Sequence, residues 1–185
     1  MPRASDKRDR LIRSADQLIL RLGFRQTTLS DIADNSGIPL GNVYYYFKTK
    51  EDIGRTVVEN RIAAVQALLA ECSIHEDAKS RLLAFLDYPL RIRQELSANG
   101  CPLGTLSYEL SRYDSVLSAN SKKLIEVVLD WSRQQFRALH PDNADALALQ
   151  FVANLQGMSL IANALKEPAV VDLMVSRTRE WIESL

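Results

Sequence analysis

Apolar residues recur along this chain every three to four positions, and the recurrence breaks at a small set of glycines, prolines and threonines. Leu11, Ile12, Ala15, Leu18, Ile19 and Leu22 share one face of a helix that Gly23 ends. Ile53, Val57, Ile62, Val65, Leu68 and Leu69 form the apolar side of a long helix that opens at Thr49 and runs to about Cys72. Ser73 to Asp77 reads as its end and a turn. The pattern resumes over about Ala78 to Ser97, and again over about 104–112, 115–138, 143–165 and 169–184. No strand-like alternation and no internal repeat interrupts it, so the expected fold class is all-α.

Between the first helix and the long one lies the most specific stretch, Thr27 to Lys50. Thr28-Leu29-Ser30-Asp31 is a helix start in which the Thr28 hydroxyl accepts from a backbone N–H and Asp31 reaches back. Ile32 and Ala33 give this short helix an apolar face. Gly37 ends it, since glycine adopts positive φ at little cost. Ala33 is small enough for a second helix to cross close above it, and Ile38 and Val43 are placed to bury against the first. That second helix runs from about Pro39 or Leu40 to Phe47, with Val43 and Phe47 in the core and Leu40, Gly41, Asn42, Tyr44 and Tyr45 outward. Thr49 again resembles a cap, with Lys48 and Lys50 flanking the start of the next helix, where lysines can clamp phosphate. Two short helices joined by a tight turn, followed by aromatics and lysines, form the layout of a helix-turn-helix DNA reader.

Thr27-Thr28, Asp31-Ile32-Ala33, Gly37-Ile38, Gly41 to Phe47 and Lys48-x-Lys50-Glu51 resemble the TetR family of bacterial transcriptional regulators. The resemblance covers about the first third of the chain. It implies an all-helical homodimer with an N-terminal three-helix helix-turn-helix domain and a C-terminal helical ligand-binding and dimerisation domain. By position it implies phosphate contacts for Thr28, Tyr44, Tyr45, Lys48 and Lys50, and places Ser30, Leu40, Gly41 and Asn42 toward bases. Leu40 and Gly41 have no side-chain hydrogen bonds to offer, which leaves few polar base readers. The domain division expected is 1–50 for the reader and 51–185 for the body, linked by the long helix over 50–72 as a lever.

Charge is balanced over the 185 residues but not locally. Residues 1–50 hold nine Lys/Arg against five Asp/Glu, and residues 51–185 hold fourteen against eighteen. A basic reader on an acidic body orients the protein on double-stranded DNA, and the modest excess means that shape and dimer geometry must assist. The basic residues Arg3, Lys7, Arg8 and Arg10 suit either a DNA-touching tail or a solvated terminus. Residues 1–22 carry charges throughout, with no apolar run of signal length, and no segment is long enough to span a membrane. The expected location is the cytoplasm.

In the body, Pro89 kinks its helix and frees the Phe85 carbonyl. Phe85 and Tyr88 are candidates for the wall of an effector pocket or for an ordinary kinked core helix; Tyr108 and Trp131 could join the pocket wall, though large aromatics are more often plain core. Cys72 and Cys101 do not suggest a disulfide framework. Asn99-Gly100 makes a turn and Pro102 suits a first helical position, so Cys101 falls at or beside a helix N-cap, where a thiol is more reactive than usual. Some TetR-family members similar in this Gly-Cys segment respond to oxidants or electrophiles. The resemblance therefore implies a sensor at Cys101, against a bland reading as a small buried residue. The small residues of 143–165, with the last helix, suggest a four-helix interface, and the homodimer is expected through about residues 143–184.

The reading expected is a ligand-responsive regulator, a repressor released by an unknown small-molecule effector or by modification of Cys101. A non-specific structural DNA-binding protein is one alternative and an enzyme using the helical pocket the other. Chemistry for the latter is thin. His75 and His140 are the only histidines, Cys72-x2-His75 is poor metal spacing, and no phosphate loop, nucleophile elbow or carboxylate pair occurs. No catalytic residue, metal or cofactor is assigned.

Overall fold

The computed structural model describes residues 4–112 and 117–185, and every regular element in them is helical. The helices are α1 (Ala4–Leu22), α2 (Leu29–Ser36), α3 (Leu40–Tyr46), α4 (Lys50–Cys72), α5 (Ala78–Phe85), α6 (Asp87–Arg91), α7 (Arg93–Asn99), α8 (Pro102–Ser111), α9 (Ser118–Ser121), α10 (Lys123–Leu139), α11 (Ala144–Leu165) and α12 (Ala169–Ser184). A 3-10 turn, Pro141–Asn143, leads into α11. Among the described residues no helix is long and apolar enough to cross a membrane. The expected start of a helix at 115, and Arg3 of the basic tail, lie outside the described residues.

The chain forms two compact units. One comprises Met1–Ile62 with Thr105–Leu124, the other Ala63–Gly104 with Ile125–Leu185. The division at 50/51 expected from sequence falls inside the first unit, and a segment distant in sequence joins that unit.

In the first unit, α1 packs on α2 and α2 on α3. Most of the side chains that the helical periodicity selects are buried, Leu11, Ala15 and Ile19 on α1, Ile32 and Ala33 on α2, Val43 on α3, Ile53 and Val57 on α4, but Leu22, expected on the same face of α1, is exposed at its last position. The buried Arg61 guanidinium donates through Nε to the Asp16 carboxylate at 2.6 Å and through Nη2 to the Asp16 carbonyl at 3.2 Å. These bonds fix α1 against α4, and the Asp16 partner keeps the buried charge compensated.

In the second unit, α11 packs against α7 and α12, and α12 also meets α5 and α6. The single long helix expected over about Ala78–Ser97 is instead three short ones, α5, α6 and α7. Pro89 sits within α6 and has no N–H for the ladder. The chain tightens at Leu86, whose N–H reaches back to the Leu83 carbonyl at 3.1 Å, and breaks again at Ile92 with φ −107° and ψ 19°. From α11, the Asn163 amide donates to the Ser97 carbonyl at 2.9 Å, and just beyond it Lys166 donates to the Ala98 carbonyl at 3.1 Å. They satisfy carbonyls that the end of α7 leaves open.

Candidate nucleic-acid interface

The start of α2 is the reciprocal cap that the sequence predicts. The Thr28 hydroxyl accepts from the Asp31 N–H at 3.1 Å, and the Asp31 carboxylate accepts from the Thr28 N–H at 2.8 Å and from its hydroxyl at 2.7 Å. The hydroxyl bond first and the backbone bond second hold the Asp31 carboxyl below the usual carboxylate range. The end of α2 turns at Gly37, φ 64°, where the Ile38 N–H closes on the Ala33 carbonyl at 3.1 Å. From α1, Arg10 donates to the Ser36 carbonyl and Ser14 to the Ile32 carbonyl, so the end of α2 is capped from outside as well.

α3 follows this turn with Val43 and Phe47 buried beneath it. Its other side is open: Leu40 is 37% exposed, Tyr44 47% and Tyr45 74%. Gly41 is exposed as well, Asn42 is half-buried, and Ser30 on α2 is exposed. Lys48 is exposed and donates to the Tyr44 carbonyl at 3.0 Å, leaving two further N–H bonds for another acceptor. α4 then opens on a second reciprocal cap, Thr49 with Asp52, at 3.0 and 3.1 Å.

Two of the expected phosphate contacts are differently placed. Both donors of Thr28 are spent on Asp31, so a phosphate oxygen must take one from that carboxylate. Lys50 turns inward, donating to the Arg25 carbonyl at 2.8 Å with its Nζ 4.8 Å from the centre of the Phe24 ring. Burial pushes the Lys50 ammonium below its ordinary value, and the charges of Glu51, Glu109 and Asp31 oppose that shift. In the basic tail, Arg8 lies 5.3 Å over the Phe47 ring and Arg10 holds α2, so both serve packing here.

Sequence reasoning missed Glu109. Its carboxylate accepts from the Phe24 N–H at 2.7 Å and from the Arg25 N–H at 2.6 Å, across 85 and 84 positions of chain. Nothing local to Glu109 announces this.

The candidates for an effector site separate. Phe85 is buried, with ring centres 6.4 Å from Tyr88, 5.7 Å from Trp131 and 5.9 Å from Phe151. The cluster continues through Phe136 to Trp181. Phe85, Tyr88 and Trp131 are thus brought together as aromatic core, with the Trp131 N–H donating to the Ser73 hydroxyl at 3.1 Å. Tyr108 does not join a pocket wall: it is 64% exposed, and its hydroxyl accepts from Arg112 at 2.6 Å. A ten-residue helix leaves one side in solvent, and Tyr108 falls on that side. A cavity of about 230 Å³ in the first unit is lined by Arg55, Val58, Glu59, Ile62, Asn120 and Lys123, none of them among those candidates.

Cys101 immediately precedes α8, as expected from Pro102. Its half-buried sulfur accepts from the Gly104 N–H at 3.4 Å and from the Gln156 side-chain amide at 3.5 Å. Cys72 is buried, and burial pushes its thiol up from the ordinary value, away from reactivity.

Residues 11–55 match the profile of the family described as bacterial regulatory proteins, tetR family. An uncharacterized HTH-type transcriptional regulator of Mycobacterium tuberculosis is 29% identical over 95% of this chain and 93% of its own length. The HTH-type transcriptional repressor NemR of Escherichia coli is 32% identical over 57% of this chain and 54% of its own. Among solved structures, a TetR transcriptional regulator from Legionella pneumophila superposes with a TM-score of 0.84 at 20% identity, covering 100% of this chain and 97% of that one. At that identity the likeness is one of fold.

Proposed function

We propose that this chain, whose residues 11–55 match the TetR family of bacterial transcriptional regulators, is a cytoplasmic repressor of that family that occupies a palindromic operator as a homodimer and is released by a small-molecule effector or by modification of Cys101. It is a regulator and not an enzyme. The observation that carries the reading is the division of α3. Val43 and Phe47 anchor it to a capped scaffold, while Leu40, Gly41, Tyr44 and Tyr45 form an open face flanked by Lys48. A short helix held rigidly from below with one face uncovered is what major-groove docking requires. In this reading Ser30, Leu40, Gly41 and Asn42 meet bases, and Thr28, Tyr44, Tyr45 and Lys48 meet phosphates. Lys50 acts from the inside, on the turn before α2.

The dimer is supported by α11 and α12, which leave Leu149, Leu160, Ile161, Leu165 and Leu173 exposed among small residues such as Ala153, Gly157 and Ala164. A stripe of this kind suits a twofold helical interface that sets two readers about one DNA turn apart. The effector reading rests on Cys101, where two N–H donors and a helix start converge on one sulfur. Modification there releases DNA only by favouring a conformer that binds the operator less well.

The test is fluorescence anisotropy with DNA from upstream of the protein's own gene against a scrambled duplex, at near-physiological salt. A preference of about a thousandfold or more is expected, and equal binding to both refutes the specific regulator. Cys101→Ser then separates the two release routes: it should abolish the response to an alkylating electrophile and leave DNA affinity intact.

A further inference from the structure

Ending α1 at Gly23 takes the N–H groups of Phe24 and Arg25 out of the helical ladder; the buried Phe24 needs another acceptor, while the exposed Arg25 could turn to water. Both go to the carboxylate of Glu109 on α8, at 2.7 and 2.6 Å. The other side of the same turn is held too, since Lys50 of α4 donates to the Arg25 carbonyl at 2.8 Å. Gly23 makes room for the carboxylate. It sits at φ +87°, and a Cβ there would lie 3.0 and 3.2 Å from the two Glu109 oxygens. Below the turn, the fully buried Phe24 ring packs across Gly54 of α4. Glu109 also occupies the last turn of α8, where a negative charge opposes the helix dipole. α8 alone gives no reason for a carboxylate there, and the Phe24–Arg25 turn gives one.

We infer that Glu109 is a positioning residue for operator recognition: its carboxylate, paired with Lys50 across the Phe24–Arg25 turn, sets the angle between α1 and the α2–α3 reader. The inference rests on the operator-binding reading above. The turn joins α1 to α2, so its geometry acts together with the α1–α2 packing and the Arg10 and Ser14 bonds in setting where α3 points. A reader whose turn is held only part of the time binds its operator with an affinity reduced by that fraction. Two charge-assisted bonds of this type together shift the equilibrium between a held and a released turn by about a hundredfold, so a turn held about nine-tenths of the time with them is held about a tenth of the time without them, and specific binding weakens by about tenfold.

The sign of the effect separates positioning from electrostatics. Removing a negative charge near a DNA-binding surface, at fixed geometry, strengthens binding to phosphates. Glu109→Gln removes the charge and keeps the reach. Glu109→Asp keeps the charge and loses the reach. Positioning requires both to weaken binding to the operator by about tenfold while scrambled duplex is bound as well as before, or better by the Gln variant.

The experiment is anisotropy on both duplexes with the full-length wild type and the two variants, with a thermal melt of each sample to show a retained folding transition. Amide hydrogen exchange at residues 23–27 supplies a readout that does not depend on DNA, and it should accelerate in both variants. A wild type that prefers the operator, with variants that keep its affinity and its exchange protection, overturns the inference alone. A wild type with no preference overturns the regulator reading and this inference with it.

Discussion

Gly54→Ala is the substitution whose outcome most sharply tests the packing described for the first unit. In an exposed helix interior this change stabilises by about 1 kcal/mol, because alanine loses less backbone entropy than glycine. Gly54 is buried within α4. An added Cβ would lie 2.5 Å from Cε2 and 3.1 Å from Cζ of Phe24, and 3.2 Å from Cδ1 of Leu117. Neither neighbour can retreat into solvent, since Phe24 is 1% and Leu117 0% exposed. The Phe24 backbone is tied to Glu109 besides. Overpacking of this kind costs about 1–3 kcal/mol, and a contact this close belongs in the upper part of that range. Setting the helix gain against it leaves a net loss of about 1–2 kcal/mol, or a fall in Tm of about 2–8 °C for a chain of this size. Thermal unfolding followed by circular dichroism reads the shift. Phe24→Leu in the same chain should recover part of it, giving a coupling of at least about 0.5 kcal/mol in the double-mutant cycle. A Tm at or above that of the wild type would show that Phe24 moves aside freely, and the account of the turn as a fixed hinge would fail with it.

Three further outcomes are expected. Lys48→Ala should reduce the slope of log affinity against log salt by about one unit per protomer, whereas Lys50→Ala should lower affinity without changing the slope; equal slope changes would place Lys50 on phosphate after all. The folded-state value of Asp31 is depressed, so its capping contribution is present above the ordinary Asp range and lost as pH falls through the lowered value. Melts between about pH 7 and pH 2 should therefore show less acid destabilisation in Asp31→Asn than in the wild type, and parallel curves would refute the cap's part in it. Leu160→Glu, at a position 69% exposed on α11, should yield a folded monomer by sedimentation with lost operator affinity; a variant that remains dimeric would move the interface elsewhere.

The reader was legible in the sequence because its determinants are local. Thr28 and Asp31 are three positions apart, Gly37 needs only its own φ, and Val43 and Phe47 follow from helical spacing. The body was less legible where side chains meet across long stretches of chain. Phe85, Tyr88 and Trp131 do assemble, but as core. Tyr108 shows why the phase of a short helix is hard to read: Leu106 and Leu110 on the same helix are buried, and Tyr108 between them faces solvent. Lys50 has the sequence context of a phosphate contact and the structure of an internal one, because Phe24 and the Arg25 carbonyl lie within its reach. Glu109 lay beyond local reasoning altogether, since its two partners are backbone groups and carry no side-chain signature.

Gly41 lies on the open face of α3 with nothing within 4 Å of where a Cβ would stand. Most substitutions in a folded core are screened first by stability, and only survivors are screened by function. At Gly41 the first screen is nearly silent, since a new side chain meets only solvent or DNA and gains helix propensity over glycine. If α3 reads bases as proposed, operator preference can therefore drift at this codon without passing through unfolded intermediates. A lineage duplicating this gene could acquire a second, non-overlapping set of target sites while inheriting the scaffold unchanged.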